Sequence, residues 1–251
     1  MVREGEEFQV PFMHILSIDS STHLASIALV ADEMIIAEIL FRADKALSAR
    51  LLPEIERMLA SSRLTVGEID LFACALGPGS FTGVRAGVAT IQGLALATGR
   101  PCVGFSTLAL VAMNFPMASL LLCPLLDARK NEVYAALYDG SSLLPTPVIA
   151  DCVMKPEAFL DKLPALTDKP VIFAGDGAVR YHEVISGCLG GQALFASPFL
   201  NVGHAANGAL LALHAHRSGQ DLEPGRLLPV YLRPSEAEYA KMDRQKAQQT
   251  K

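Results

Sequence analysis

The sequence predicts an α/β protein of two lobes, each a mixed sheet flanked by helices. Three observations carry that prediction. Apolar runs of strand length alternate with segments of helical periodicity. The order three strands, helix, strand, helix, strand, helix occurs twice along the chain. In each pass the first strand runs into an Asp and a polar turn, and the return strand ends at another Asp: Asp19 to Asp32, then Asp127 to Asp139.

The first pass opens with "HILSIDSST", a strand ending at Asp19, followed by the strands "ASIALVAD" and "MIIAEILF". A helix is expected over 46–60, where Leu47, Leu51, Ile55 and Met58 share one face, and Pro53 inside it predicts a kink or a late start. A buried strand "LFACAL", the loop "GPGSFTG", a helix from about Gly83 to Ala97, the strand "CVGFS" and a short helix from about Thr107 complete this pass. The second pass begins with "SLLLCPLLDARKNE", a strand running into Asp127, followed by "VYAALYDG" and "LPTPVIA". "PEAFLDKL" supplies a helix, "VIFAGD" a buried strand, and Gly175 and Gly177 a loop. A helix over 178–186, the strand "ALFAS" and a longer helix near 204–217 follow.

A three-stranded meander joined to right-handed crossover units, used twice, resembles the actin/Hsp70/sugar-kinase (ASKHA) superfamily, with its ribonuclease H-like lobes. The expected boundaries are 13–106 for the first actin-like lobe and 107–220 for the second. The helix near 204–217 could pack on either lobe, and 221–251 form a C-terminal segment with a mobile tail.

Hydrophobic residues make up 51% of the chain and charged residues 19%, which fits a soluble globular protein with a large core. A net charge of −5 gives no general attraction for nucleic acid. Only the tail "KMDRQKAQQTK" is locally basic, and it reads as a solvated end. The five cysteines are widely spaced with no C-x-x-C, the pattern of reduced core thiols in a cytoplasmic protein. "MVREGEEFQVPF" lacks the apolar stretch of a signal peptide, and no apolar run is long enough to predict a membrane span.

In the superfamily, two hairpin turns grip nucleotide phosphates, and each usually carries Asp-x-Gly so that backbone amides can approach the ligand. Here the turns read Asp19-Ser20-Ser21-Thr22 and Asp127-Ala128-Arg129-Lys130, with Ser21 and Arg129 where glycine would stand. Only "AGDGA" keeps its glycines, Gly175 and Gly177, where an adenosine would rest. Asp19, Ser21, Asp127, Gly175 and Gly177 therefore read as a vestigial cleft with no cofactor of its own, and the two Asp residues as caps of their turns.

The loop "GPGSFTG" lacks the Lys of a P-loop, and its glycine spacing is not that of a dinucleotide fingerprint. Pro78 and Thr82 flank Ser80 where a nucleophile elbow requires glycines. A turn at Pro78–Gly79, a helix cap from Ser80 or Thr82, and close packing near Gly83 explain the loop better than an anion site does. The histidines (His14, His23, His182, His204, His214, His216) form no metal-binding spacing. His214 and His216 point to different helix faces, and His204 reads as a surface or capping residue. Neither a catalytic residue nor a metal ligand set is predicted.

On the helix after the loop, Gly83, Ala86, Gly87, Thr90 and Gly93 share one face, and Val84, Val88, Ile91 and Ala95 another. The small-residue face could pack inside its own lobe or join helix 46–60 in a surface for a partner. Periodicity leaves both readings open.

Four segments, "ILSIDSSTHLASIAL", "ALGPGSFTGVRAGVATIQGLALATGRPCVGFSTL", "LLDARKNEVYAALY" and "PVYLRPSEAEY", resemble the TsaB (YeaZ) family over about His14 to Tyr239. The resemblance implies a non-catalytic subunit in synthesis of threonylcarbamoyladenosine at position 37 of tRNAs reading ANN codons. It implies pairing with a TsaD-like paralogue, which carries the transferase activity, through first-lobe helices. A TsaE-like P-loop ATPase joins the complex, and a homodimer can form through the same helices. Contact with tRNA is then only indirect. The matching interface positions are Leu47, Leu51, Ile55, Ser80, Thr82, Gly83, Arg85, Ala86, Gly87 and Thr90; many relatives carry His where Leu47 stands. The alternatives are a nucleotide-dependent transferase or kinase of the superfamily type, and a glycoprotease-like metallopeptidase.

Overall fold

A computed structural model of the chain describes residues 12–43 and 47–233. The basic tail 241–251, most of the N-terminal stretch and the end of the "PVYLRPSEAEY" segment lie outside the described residues. Strands β1 (His14–Asp19), β2 (Leu24–Ala31) and β3 (Met34–Arg42) form the first meander, followed by α1 (Leu47–Ser61), β4 (Leu71–Ala75), α2 (Phe81–Thr98), β5 (Cys102–Phe105) and α3 (Thr107–Ala112). The second pass comprises β6 (Leu121–Asp127), β7 (Val133–Asp139), β8 (Thr146–Met154), α4 (Pro156–Leu160), β9 (Val171–Ala174), α5 (Asp176–Arg180), α6 (His182–Leu189), β10 (Ala193–Phe195) and α7 (Ala205–Arg217).

The two sheets have the same strand order, β3-β2-β1-β4-β5 and β8-β7-β6-β9-β10. In each, the meander pairs are antiparallel and the crossover pairs parallel. This is the twofold actin-like architecture expected from the order of elements.

Strand alternation divides the first core into two layers. Leu16 and Ile18 of β1 and Phe72 and Cys74 of β4 face α1 and α2. Ile15 of β1 and Leu71 and Ala73 of β4 face the opposite way, against Ala205, Ala209, Ala212 and Leu213 of α7. The helix near 204–217 thus covers the first sheet, although it comes last in the second pass. The exchange is reciprocal: α3, last in the first pass, packs Leu108 and Ala112 on Leu122, Leu126 and Tyr138 of the second sheet. The other face of that sheet buries Phe159, Phe173 and Ile185. Full burial of side chains of this size stabilises by about 1.5–3 kcal/mol each.

Local chemistry accounts for the helix ends. Ser80, not Thr82, caps α2: its hydroxyl accepts the Gly83 N–H at 3.3 Å. Gly99, left-handed at φ 66°, ends the helix. Helix α1 is already formed at Leu47 and carries Pro53 inside it, so no start is delayed to the proline. The helix expected over 178–186 is two, α5 and α6, broken at Tyr181 (φ −103°, ψ 22°). Among the described residues no helix is long and apolar enough to cross a membrane.

Candidate partner face and vestigial cleft

Both hairpin Asp residues cap their own turns, as expected. Asp19 Oδ1 accepts the Ser21 N–H and Asp127 Oδ1 the Arg129 N–H, each at 2.9 Å. Asp19 is completely buried and burial raises its pKa, against the lowering effect of its bonds from Ser21. It lies beneath Gly203, where a Cβ would come within 2.5 Å of Oδ2. Ser20 and Ser21 are buried as well.

What covers this turn is the glycine loop. Ser80 N–H donates to Ser21 O at 2.7 Å, and Ser20 Oγ donates to Gly83 O at 2.8 Å. A Cβ at Gly79 or Gly83 would collide with the carbonyl oxygen of Ser21 or Ser20, and one at Gly87 would lie 2.5 Å from Ser20 Oγ. These three glycines let the loop and α2 lie directly on the first hairpin. For Gly83 and Gly87, the choice left open by periodicity therefore falls to packing inside the lobe.

The second turn is more open. Asp127 pairs with Arg180 at 3.0 Å, and its N–H donates to Asp176 Oδ1 at 3.0 Å. Arg129, Lys130 and Asn131 all have left-handed φ of 51–60°. The glycines expected beneath an adenosine have other work. Gly175 (φ 98°) and Gly177 press on the Leu125 backbone, where a Cβ at Gly177 would lie 2.8 Å from the carbonyl carbon. The Gly175 N–H already donates to Asn201 Oδ1 at 2.9 Å. Asp19, Ser21, Asp127, Gly175 and Gly177 thus hold the two turns rather than present an open row of donors.

The histidines are dispersed. His216 binds Asp221 at 2.8 Å, whereas His214 is directed elsewhere and buries its Nε2. His204 occupies the N-cap position of α7, but its side chain does not cap the helix and instead pairs with Glu38 at 3.2 Å. The hydrogen bond to Glu38 raises the His204 pKa against the effect of burial. Among the described residues no group of three His, Cys, Asp or Glu side chains could hold a metal ion. Burial pushes the Cys102 thiol up to about 11 and raises Cys74 and Cys123 as well, the reverse of an activated nucleophile.

The predicted interface positions divide sharply. Leu47, Leu51 and Ile55 are buried in the core, beneath α1 rather than on its outer face. Gly83 and Gly87 are buried against Ser20, and Ala86 and Thr90 are half-buried, with Thr90 Oγ1 donating to Ala86 O. Ser80, Thr82 and Arg85 are exposed. Arg85 is already engaged: its Nε donates to Tyr231 Oη at 2.8 Å, and its guanidinium lies 4.0 Å from the Phe81 ring centroid.

The outward residues of the adjacent helices are different ones: Ser48, Ala49, Leu52 and Glu56 on α1, and Ala89, Gly93 and Leu96 on α2. Leu52 is 48% and Leu96 66% exposed. Apolar periodicity marks the buried stripe of each helix, so it passed over this side. Gly93 alone carried a signal, as a helical glycine.

A second feature, which the sequence marked only through the resemblance of "PVYLRPSEAEY", is the strap over 222–233, whose first part lies along α2. Gln92 Nε2 donates to Pro224 O and Leu227 O at 3.0 and 2.9 Å, and Tyr231 stacks on Phe81 with centroids 4.9 Å apart. Between strap and helix runs a groove of about 480 Å³ lined by Arg85, Val88, Ala89, Gln92, Leu228 and Tyr231.

Comparison with known proteins places this architecture among relatives. The family model described as TsaD, tRNA N6-adenosine threonylcarbamoyltransferase, matches residues 41–219. The tRNA threonylcarbamoyladenosine biosynthesis protein TsaB of Bacillus subtilis is 30% identical over 93% of this chain and 100% of its own length. The protein of the same name from Escherichia coli is 33% identical over 62% of this chain and 68% of its own. The solved structure of YeaZ from Pseudomonas aeruginosa superimposes with a TM-score of 0.75 at 28% identity, covering 88% of this chain and all of that one. A ROK hexokinase from Thermus thermophilus, at TM-score 0.50 and 11% identity, shares the fold alone.

Proposed function

Because the chain belongs to the TsaB (YeaZ) family of tRNA threonylcarbamoyladenosine biosynthesis proteins, we propose that it takes part in threonylcarbamoyladenosine formation as a non-catalytic subunit. In this reading it pairs with a TsaD-type threonylcarbamoyltransferase through the outer faces of α1 and α2. The pair takes up a TsaE-type ATPase, and tRNA is bound by the assembly rather than by this acidic chain.

The observation that carries the reading is Gly93. A glycine inside a helix costs about 1 kcal/mol relative to alanine. Gly83 and Gly87 repay that cost within the chain, because their missing side chains admit the first hairpin. At Gly93 a Cβ would meet nothing within 4 Å. Its flanking residues Ala89 and Leu96 face outward, as does Leu52 of α1. An exposed helix face with a small centre and apolar margins admits a second helix at close range. The same face is self-complementary in a symmetric pair, so a homodimer competes with the heterodimer for one surface. A nucleotide-dependent transferase reading is less favoured, because Asp19 is sealed in the core and the Gly175 amide is already bonded.

Sedimentation of the purified chain with its TsaD-type paralogue tests the proposal. A stable 1:1 complex is expected, and Gly93→Leu should weaken it at least roughly tenfold without lowering the melting temperature. A complex indifferent to Gly93→Leu and Leu52→Asp would refute the assignment of the face.

A further inference from the structure

Residues 222–233 form a strap with two unlike ends. At the first, Leu222 and Cys102 exchange backbone hydrogen bonds at 3.2 and 2.8 Å, and Leu227 is fully buried in the first core. Beyond that anchor the apolar side chains turn outward: Leu228, Val230 and Tyr231 are 62%, 50% and 43% exposed. The backbone here is held to the first lobe by the Val230 N–H on Leu76 O at 2.8 Å. At the far end the strap reaches the second lobe. Arg233 donates to Ala128 O at 3.1 Å and pairs with Glu132 at 3.2 Å, with its side chain only 16% exposed. Ala128 and Glu132 are themselves hydrogen-bonded across the second hairpin turn. Between them stand Arg129, Lys130 and Asn131, three successive left-handed residues, a conformation that persists only where its surroundings over-determine it.

We propose that residues 228–233 are a latch that couples the outer face of α2 to the gap between the two sheets. The proposal rests on the partner-binding reading given above. One short segment does both jobs: Leu228 and Tyr231 wall the groove on α2, and Arg233 grips the second hairpin. Only Leu232 separates Tyr231 from Arg233, so a displacement of the Tyr231 backbone from beside Phe81 and Arg85 acts at short range on Arg233. A partner that shifts this segment on α2 therefore pulls on the hairpin. The pull is relayed to the far side of the gap, because the Asp127 N–H is bonded to Asp176, which faces His23 of the first lobe at 3.8 Å. The chain thereby signals partner docking to its own cleft through a mechanical link.

Amide hydrogen exchange of the full chain, followed over peptides covering 126–134, 222–227 and 228–231, tests this. Arg233→Gln should speed exchange at 128–132 roughly tenfold, leave 222–227 protected and keep the melting temperature. Tyr231→Ala should produce the same hairpin effect from two residues away. Adding the TsaD-type partner should change hairpin exchange in the wild type and not in Arg233→Gln. Unchanged hairpin exchange in Arg233→Gln overturns the latch, as does a Tyr231→Ala effect confined to 228–231. The first two variants are read on the isolated chain, so a partner that fails to bind sinks the functional reading while the latch is still decided.

Discussion

A methyl group at Gly83 and the same methyl at Gly93, ten residues along one helix, should have opposite consequences. At Gly83 the new Cβ would be driven into the carbonyl of Ser20, 3.2 Å from the carbonyl carbon and closer to its oxygen, with Ser80 Cβ at 3.4 Å on another side. These are backbone atoms or atoms fixed to backbone, and they cannot rotate away. Overpacking of this kind costs about 1–3 kcal/mol. Backing the hairpin off also strains the buried Ser20 Oγ to Gly83 O bond, which is worth about 1 kcal/mol. The helix gains about 1 kcal/mol from exchanging glycine for alanine. The balance for Gly83→Ala is a loss of about 2 kcal/mol, or roughly 4–8 °C in melting temperature for a chain of this size. Gly93→Ala meets no opposing atom and keeps the whole propensity gain, so its melting temperature should rise by about 2–4 °C. Differential scanning calorimetry at neutral pH on the three proteins reads both. A neutral or stabilising Gly83→Ala, or a destabilising Gly93→Ala, would refute the separation of inward from outward glycines.

Neighbouring leucines on α1 should separate in the same way. Leu51→Ala, at a fully buried site, should cost about 2–5 kcal/mol in denaturant unfolding, whereas Leu52→Ala should stay within about 0.5 kcal/mol and weaken only the complex. The His204–Glu38 pair should make stability depend on pH on both sides. The hydrogen bond to Glu38 raises His204 from 6.5, so its contribution is complete below that value and is lost as pH rises through the raised one. Burial alone would raise Glu38, but the bonds from His204, Ala206 and Ser26 outweigh it and hold Glu38 below 4.5. Its contribution is therefore present above 4.5 and lost as pH falls through the depressed value. Glu38→Gln should show its largest melting deficit between 4.5 and 6.5, narrowing at alkaline pH; an equal deficit at every pH would contradict the pairing.

Much of the fold was legible because strand alternation and turn chemistry are local. The Asp19 and Asp127 turns, the repeated meander and a helix capped from Ser80 or Thr82 could all be read from spacing; the structure chose Ser80. The placement of α7 could not be. Its alanine-rich face fits any flat apolar surface, and only the three-dimensional exchange with α3 decides which sheet it covers. The same limit governs the candidate face. Periodicity identified Leu47, Leu51 and Ile55 as one stripe, and a stripe of leucine and isoleucine on an amphipathic helix is the side that turns inward. Gly83, Gly87 and Gly93 look alike in the sequence. What separates them is the first hairpin, which approaches two of them and not the third. The strap had no periodic pattern at all, and its role rests on single contacts such as Tyr231 with Arg85 and Arg233 with Ala128.

We propose that this chain supports threonylcarbamoyladenosine formation by docking through α1 and α2, without chemistry of its own. Reconstitution decides between docking and dispensability: modification of an ANN-reading tRNA by the TsaD-type transferase and TsaE-type ATPase is measured with no added chain, with the wild type, and with Gly93→Leu. Modification is expected with the wild type, little or none without it, and a Gly93→Leu defect that higher protein concentration overcomes. Full modification without the chain, or a Gly93→Leu protein as active as the wild type at limiting concentration, would contradict it.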